Sequence, residues 1–236
     1  MERDWAGELE RYLRDRFAEL CATMGQPVPF SGLRISPLLG LEEAKYFLLG
    51  LEAGLFRLDE LSYVRSELLP PPSEGETGPT ACQLFGHDSP PRLSREHVCQ
   101  LSTASLLILN RGWLRSQTFV EPTITGDSSL DHRVDLLVRS SQGEILVCVE
   151  VKRSVAELQK LITDLGACCK RGPHGQDDCG FPQNHPIYEF CAFAKPPYFW
   201  AVAPDADICL RMKYGSGSIE LEQLPSLPPR SLLESN

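Results

Sequence analysis

Two stretches decide the reading of this chain: His132-Arg133-Val134-Asp135-Leu136-Leu137-Val138-Arg139 and Ile145-Leu146-Val147-Cys148-Val149-Glu150-Val151-Lys152, joined by Ser140-Ser141-Gln142-Gly143-Glu144. Both are rich in β-branched and aliphatic residues and are bounded by turn residues, the pattern of an antiparallel hairpin. With Gly143 in the second turn position, opposite residues pair as Val138 with Val147, Leu136 with Val149 and Val134 with Val151. One face is then wholly aliphatic. The other sets Asp135 opposite Glu150 and Arg133 opposite Lys152, with Glu150 and Lys152 on the same face because side chains alternate along a strand.

Two carboxylates facing each other across a ladder repel, and half-burial adds a desolvation cost unless a positive charge compensates it. A divalent cation is such a charge. Mg2+ prefers oxygen ligands and typically takes one or two carboxylates together with substrate phosphate oxygens. A lysine beside it can orient water or neutralise charge that builds on the phosphate. The spacing points to metal-assisted phosphodiester hydrolysis. A salt bridge on a half-exposed sheet face is the plainer alternative.

Outward from the hairpin, residues 2–24 read as an amphipathic helix through Trp5, Leu9, Tyr12, Leu13, Phe17 and Leu20, stopped by Gly25 and Pro27. Further helices are expected over 41–55 and 58–69. Residues 70–91, opening with three prolines, read as a linker. A helix from Ser94 to about 112 follows, then a strand over 118–124, the hairpin, a helix over 155–169, a Pro/Gly-rich loop, and strands over 198–203 and 208–214. Residues 224–236 read as a frayed tail. The expected fold class is α/β, a mixed central sheet flanked by helices, with an acidic helical region (1–69), the linker (70–91), a catalytic domain (92–223) and the tail.

The 236 residues carry 23 Lys/Arg against 32 Asp/Glu. Most of the imbalance lies before residue 91, with 8 basic and 15 acidic residues there. The negative balance therefore does not exclude a nucleic-acid partner for the second part, although phosphate binding is mainly electrostatic. No window has the roughly 20 apolar residues of a membrane-spanning helix, and no secretory signal pattern opens the chain. The nine cysteines accordingly read as reduced thiols in an intracellular, cytoplasmic protein. There is no nucleotide-binding glycine loop, no H-E-x-x-H and no G-x-S-x-G.

Asn110-Arg111-Gly112-Trp113, Val120-Glu121-Pro122, Arg133-Val134-Asp135 and Val147-Cys148-Val149-Glu150-Val151-Lys152 together resemble the PD-(D/E)XK nuclease superfamily. They are most similar to the N-terminal nuclease domains of type I restriction subunits and related defence nucleases. The resemblance covers roughly residues 94–214, and Val134 stands where a proline is frequent. It implies a restriction-endonuclease-like core, a Mg2+- or Mn2+-dependent DNA nuclease, and restriction or defence as the biology. It also implies that Asp135 and Glu150 ligate the metal, that the Val151 carbonyl joins them, that Lys152 is the catalytic lysine, and that Glu96 from the first core helix adds a ligand. An acidic residue near a helix N-terminus is also favoured by the macrodipole alone. Gln159 is a weaker match in the following helix, and Glu121 reads as a surface residue. The alternative function is an inactive nuclease-fold scaffold within a larger nucleic-acid-processing assembly. The N-terminal helices are expected to engage a protein partner or a second copy.

Cys168, Cys169, His174, Cys179, His185 and Cys191 fall within 24 residues. Zinc takes such ligands, but no C-x-x-C occurs and the spacing fits no common finger, so core packing is the expected explanation. The Lys170–His174 segment is basic and could touch a phosphate backbone. The aromatic run Tyr198-Phe199-Trp200 reads as core.

Overall fold

The computed structural model describes residues 3–69, 82–86, 90–124, 132–215 and 217–234. Most of the expected linker, 70–81 and 87–89, lies outside the described residues. In chain order the elements are helices α1 (Trp5–Thr23) and α2 (Leu41–Glu52), short strands β1 (Arg57–Leu58), β2 (Val64–Arg65), β3 (Phe85–Gly86) and β4 (Arg92–Leu93), and helix α3 (Arg95–Leu109). Strands β5 (Thr118–Val120), β6 (Thr123–Ile124), β7 (His132–Arg133), β8 (Leu136–Arg139) and β9 (Ile145–Val151) follow. Helices α4 (Val155–Arg171) and α5 (His185–Ala194), strands β10 (Tyr198–Ala203), β11 (Ala206–Tyr214) and β12 (Ile219–Leu224), and helix α6 (Arg230–Leu233) complete the chain.

Six strands form one mixed sheet in the order β12-β11-β10-β9-β8-β5. Only β9 and β10 run parallel, and α4 and α5 make the crossover between them. A parallel pair needs such a connection because the end of one strand and the start of the next lie a full strand length apart. Alternation along the strands divides the apolar side chains between two cores. Leu136, Val138, Val147, Val149, Val151, Trp200 and Val202 pack on one face with side chains of α1, α2 and α3. Leu137, Cys148, Phe199, Ala201 and Ala203 pack on the other against α4 and α5. The result is a helix–sheet–helix sandwich.

The hairpin register agrees with the expectation over its centre: Leu136 pairs with Val149, Leu137 with Cys148 and Val138 with Val147. Toward the turn a bulge inserts Leu146, so Arg139 pairs with Ile145. Gly143 has φ 87° there and its N–H donates to the Ser140 carbonyl. Toward the other end the expected continuous strand 132–139 is broken. Residues 132–133 pair with β6 instead, and the ladder with β9 starts only at Leu136. Val134, expected on the aliphatic face opposite Val151, is buried in the core on the α4–α5 side.

Three expectations outside the hairpin are corrected. The helix expected over 58–69 is the small β1–β2 hairpin. The Asp59 carboxylate accepts from the N–H groups of Leu61 and Tyr63 at 3.0 and 2.9 Å, and Ser62 has φ 61°, so local side-chain bonding closes a turn where apolar spacing alone favours a helix. The expected tail instead docks: Leu227 and Leu233 are buried, and Arg230 donates to the Gly112 carbonyl at 3.1 Å. The N-terminal helices do not form a core of their own. Leu9, Leu13, Phe17 and Phe47 belong to the same apolar cluster as the sheet residues, and so do Cys82, Leu84 and Phe85 from within the expected linker.

A buried ion pair ties α2 to α3. Arg95 donates to both Glu43 oxygens at 2.8 and 2.7 Å and to the carbonyls of Pro37 and Leu38. Among the described residues, no helix is long and apolar enough to cross a membrane.

Candidate active site

The break before β8 creates the site. Asp135 has left the ladder, and its side chain replaces the missing backbone partner: Oδ2 accepts from the Val151 N–H at 2.5 Å. In return the Asp135 N–H donates to the Glu150 carboxylate, and the Asp135 carbonyl accepts from the Glu121 N–H at 2.8 Å. Lys152 donates to Glu150 Oε1 at 2.6 Å. The two expected carboxylates and the lysine are thus together at adjacent strand ends, though not by the direct cross-strand pairing of Asp135 with Glu150.

Helix α3 faces this cluster. Ser94 caps it by accepting from the His97 N–H, which sets Glu96 and Gln100 one turn apart on one side of the helix. Gln100 Nε2 donates to Asp135 Oδ1 at 2.7 Å, while its Oε1 is buried with no hydrogen-bond partner. Glu96 is exposed in the first turn, close enough that its charge acts on Asp135, Glu150 and Lys152. The site holds three carboxylates for one lysine.

That imbalance is felt in the titration of the groups. Burial pushes Asp135 well above the ordinary carboxylate range, and the neighbouring Glu150 charge adds to it. Burial likewise raises Glu150, against the opposing pull of Lys152. Burial works against the Lys152 ammonium, but Glu150, Asp135 and Glu96 together hold its pKa above the ordinary lysine value. A divalent cation fits this donor set, which is made of hard carboxylate and carbonyl oxygens carrying excess negative charge.

Gln100 and His97 were not singled out by the sequence reading. Gln100 has a signal in hindsight, since it lies four residues after Glu96 and shares its helix face. His97 accompanies Glu121, whose Oε1 lies 3.2 Å from its Nε2, and its Nδ1 lies 2.5 Å from the Gln83 carbonyl oxygen. Glu121 is therefore half-buried beside the site rather than a plain surface residue. Cys82 adjoins this pair, fully buried, its thiol pushed up by burial. Gln159 is exposed on α4. Phe199 and Trp200 are buried on opposite faces of the sheet, as core residues. A cleft lies elsewhere, between α2, α3 and the β10–β11 turn, lined by Tyr46, Ser102, Arg111, Asp205 and Asp207 among others.

Beyond the carboxylates, Cys168, His174, Cys179 and His185 converge, with one ligand atom from each lying within 4.8 Å of the others. Cys169 and Cys191, read together with them from sequence, are buried in the core instead. No protein-family model matches the chain, and no curated protein matches it.

Proposed function

We propose that the chain is a divalent-metal-dependent nuclease of the PD-(D/E)XK kind, hydrolysing DNA phosphodiester bonds at the ends of β8 and β9. The observation that carries the reading is the burial of Asp135 and Glu150 side by side, both driven toward protonation, at a site with a surplus of negative charge. A fold does not keep that arrangement for stability alone, because replacing a buried charged group together with its partners by well-packed apolar residues is often neutral or favourable. The order of α3, three antiparallel strands, α4 and the parallel strand β10 supports the reading.

In this reading Asp135, Glu150 and the Val151 carbonyl hold Mg2+ or Mn2+, with Glu96 added from α3. The metal supplies Lewis-acid activation of water and of the scissile phosphate. Gln100 fixes Asp135 from the helix side, and the Val151 N–H fixes it from the sheet side. Lys152 is half-buried, with a side chain 19% exposed, so its ammonium can meet a phosphate. There it neutralises negative charge building on the phosphoryl oxygens and holds a proton for the leaving group.

The test is incubation of the purified chain with plasmid, single-stranded DNA and RNA, with Mn2+ and with EDTA. Metal-dependent cleavage of DNA is expected, and Lys152→Ala should abolish it while leaving metal binding by calorimetry largely intact. Absence of metal-dependent cleavage on all three substrates, or full cleavage by the variant, would overturn the reading. Cleavage of RNA alone would move the substrate class.

A further inference from the structure

A second metal centre, independent of the proposed nuclease site, is carried by the connection between α4 and α5. We infer that Cys168, His174, Cys179 and His185 form a tetrahedral zinc site that staples this crossover together. Cys168 comes from the last turn of α4, His174 and Cys179 from the connecting loop, and His185 from the first residue of α5. Loop closure brings together residues that are up to 17 positions apart, which is why no finger-like spacing is visible in the sequence.

The geometry is that of a ligand set. Zinc bonds to sulfur at about 2.3 Å and to imidazole nitrogen at about 2.0–2.1 Å, so a tetrahedron of such ligands has edges of about 3.3–3.8 Å. The Cys168 and Cys179 sulfurs are 3.5 Å apart, far longer than a disulfide at about 2.05 Å and close to that edge. The four ligand atoms lie within 4.8 Å of one another, so a contraction of about 1 Å along the longest edges closes the site. Two thiolates and two neutral imidazoles cancel the charge of Zn2+, and this mixed soft set selects zinc over Mg2+ or Mn2+.

The supporting contacts are those a zinc site uses to orient its ligands. His174 Nδ1 lies 2.6 Å from the Gly172 carbonyl oxygen, which fixes that nitrogen as the donor and leaves Nε2 buried without a partner. Gly172 takes φ 81° and ψ −163°, and a Cβ there would meet the Gly217 carbonyl oxygen at 2.3 Å, so the carbonyl is held in place by a position only glycine fills. The Phe181 N–H donates to Cys179 Sγ at 3.3 Å.

His185 is the second and independent indication. It is fully buried, and both ring nitrogens lack a hydrogen-bond partner. Glu189 Oε1 approaches Nε2 at 3.2 Å without alignment. His185 Nδ1 has neither a hydrogen bond nor an ion pair; a buried unpaired ring nitrogen costs stability, and a metal bond removes that cost. The histidine in the other cluster, His97, has its nitrogens occupied by Gln83 and Glu121 and needs nothing further. Between α4 and α5 the only regular structure among the described residues is one helical turn, Gln176–Asp178, so a cross-link there supplies order that packing does not. From Lys152 to Cys168 the chain runs the length of α4, about 20 Å at 1.5 Å per residue, which separates this centre from the carboxylates.

The full chain, expressed with zinc in the medium and purified without chelator, should contain one zinc per chain by elemental analysis. Replacement with cobalt should give the intense visible bands of a tetrahedral sulfur–nitrogen site. His174→Ala and Cys179→Ser should each lose the metal, with affinity falling by more than about 100-fold, beyond what losing a supporting contact costs. Cys191→Ser, outside the cluster, should keep it. Zinc that washes out on buffer exchange, a weak octahedral cobalt spectrum, or a Cys168–Cys179 disulfide found by mass spectrometry would each overturn the assignment. The wild-type cobalt spectrum decides the matter even if both variants fail to fold. None of these readouts depends on nuclease activity.

Discussion

Asp135 concentrates the argument at the scale of single residues. It leaves the strand, takes the Val151 N–H with one oxygen and the Gln100 amide with the other, and lies against Glu150. Its ionisation is therefore opposed in the metal-free protein. A carboxyl whose folded pKa is raised binds its proton more tightly in the native state than in the unfolded state. Stability from this source is present at acid pH and is lost as pH rises above the unfolded value of 3.8 through the folded pKa. Asp135→Asn removes that loss and also relieves Glu150. In EDTA the stability of the variant relative to wild type should accordingly grow with pH, as read by chemical denaturation at a series of pH values. A gap that stays constant or shrinks would contradict the raised pKa. Groups such as His97 titrate in both proteins and cancel in the difference. The asparagine loses little by way of contacts, because its amide can donate to Gln100 Oε1, the buried oxygen that has no partner in wild type, once the two amides are arranged to match. The nearness of Asp135, Glu150 and Lys152 was legible from the hairpin and a short motif, although the direct Asp135–Glu150 pairing expected from strand alternation does not form. Gln100 was less so, since its only signal is its place one turn after Glu96 on a helix that also buries Ser102, Thr103 and Ser105.

At the scale of elements, β9, α4, β10 and the ladder centre were readable because their aliphatic runs are long and their ends are marked by turn or cap residues. The β1–β2 hairpin was not, because its strands are two residues each and Asp59 acts through specific hydrogen bonds that spacing does not encode. The break at 134–135 was hidden for a similar reason: the pattern stays alternating while the backbone turns away. The α2–α3 contact also depends on a pair invisible to periodicity, Glu43 with Arg95, whose side chains are only 2% and 3% exposed. Glu43→Ala leaves a buried guanidinium without its carboxylate, and should cost about 3–5 kcal/mol by urea denaturation. Replacing both residues by apolar ones of similar volume should recover most of that loss. A small effect of the single substitution would mean that α2 is held by its apolar face alone.

At the scale of the whole molecule, the sequence reading divided the chain at a proline-rich stretch, whereas the packing joins the two sides. Composition marks where a chain leaves regular structure, but not whether the elements on either side share a core, and Leu9, Phe47 and Leu84 share theirs with Val147 and Trp200. A fragment of residues 92–236 should therefore lack the cooperative thermal unfolding of the full chain, having lost the helices that cover one face of its sheet. A sharp, high-temperature melt of that fragment would restore the two-part division. The central claim, that the strand-end carboxylates form a cation site rather than a structural salt bridge with Lys152, is tested most directly by melting wild type and Asp135→Asn in EDTA and in millimolar Mg2+. Mg2+ should raise the wild-type melting temperature, with about 2.7 kcal/mol of stabilisation at one hundred times the dissociation constant. The variant in EDTA should be at least as stable as wild type and should lose most of the magnesium gain. A variant destabilised by about 3–5 kcal/mol in EDTA, together with a wild type that Mg2+ does not shift, would contradict that claim.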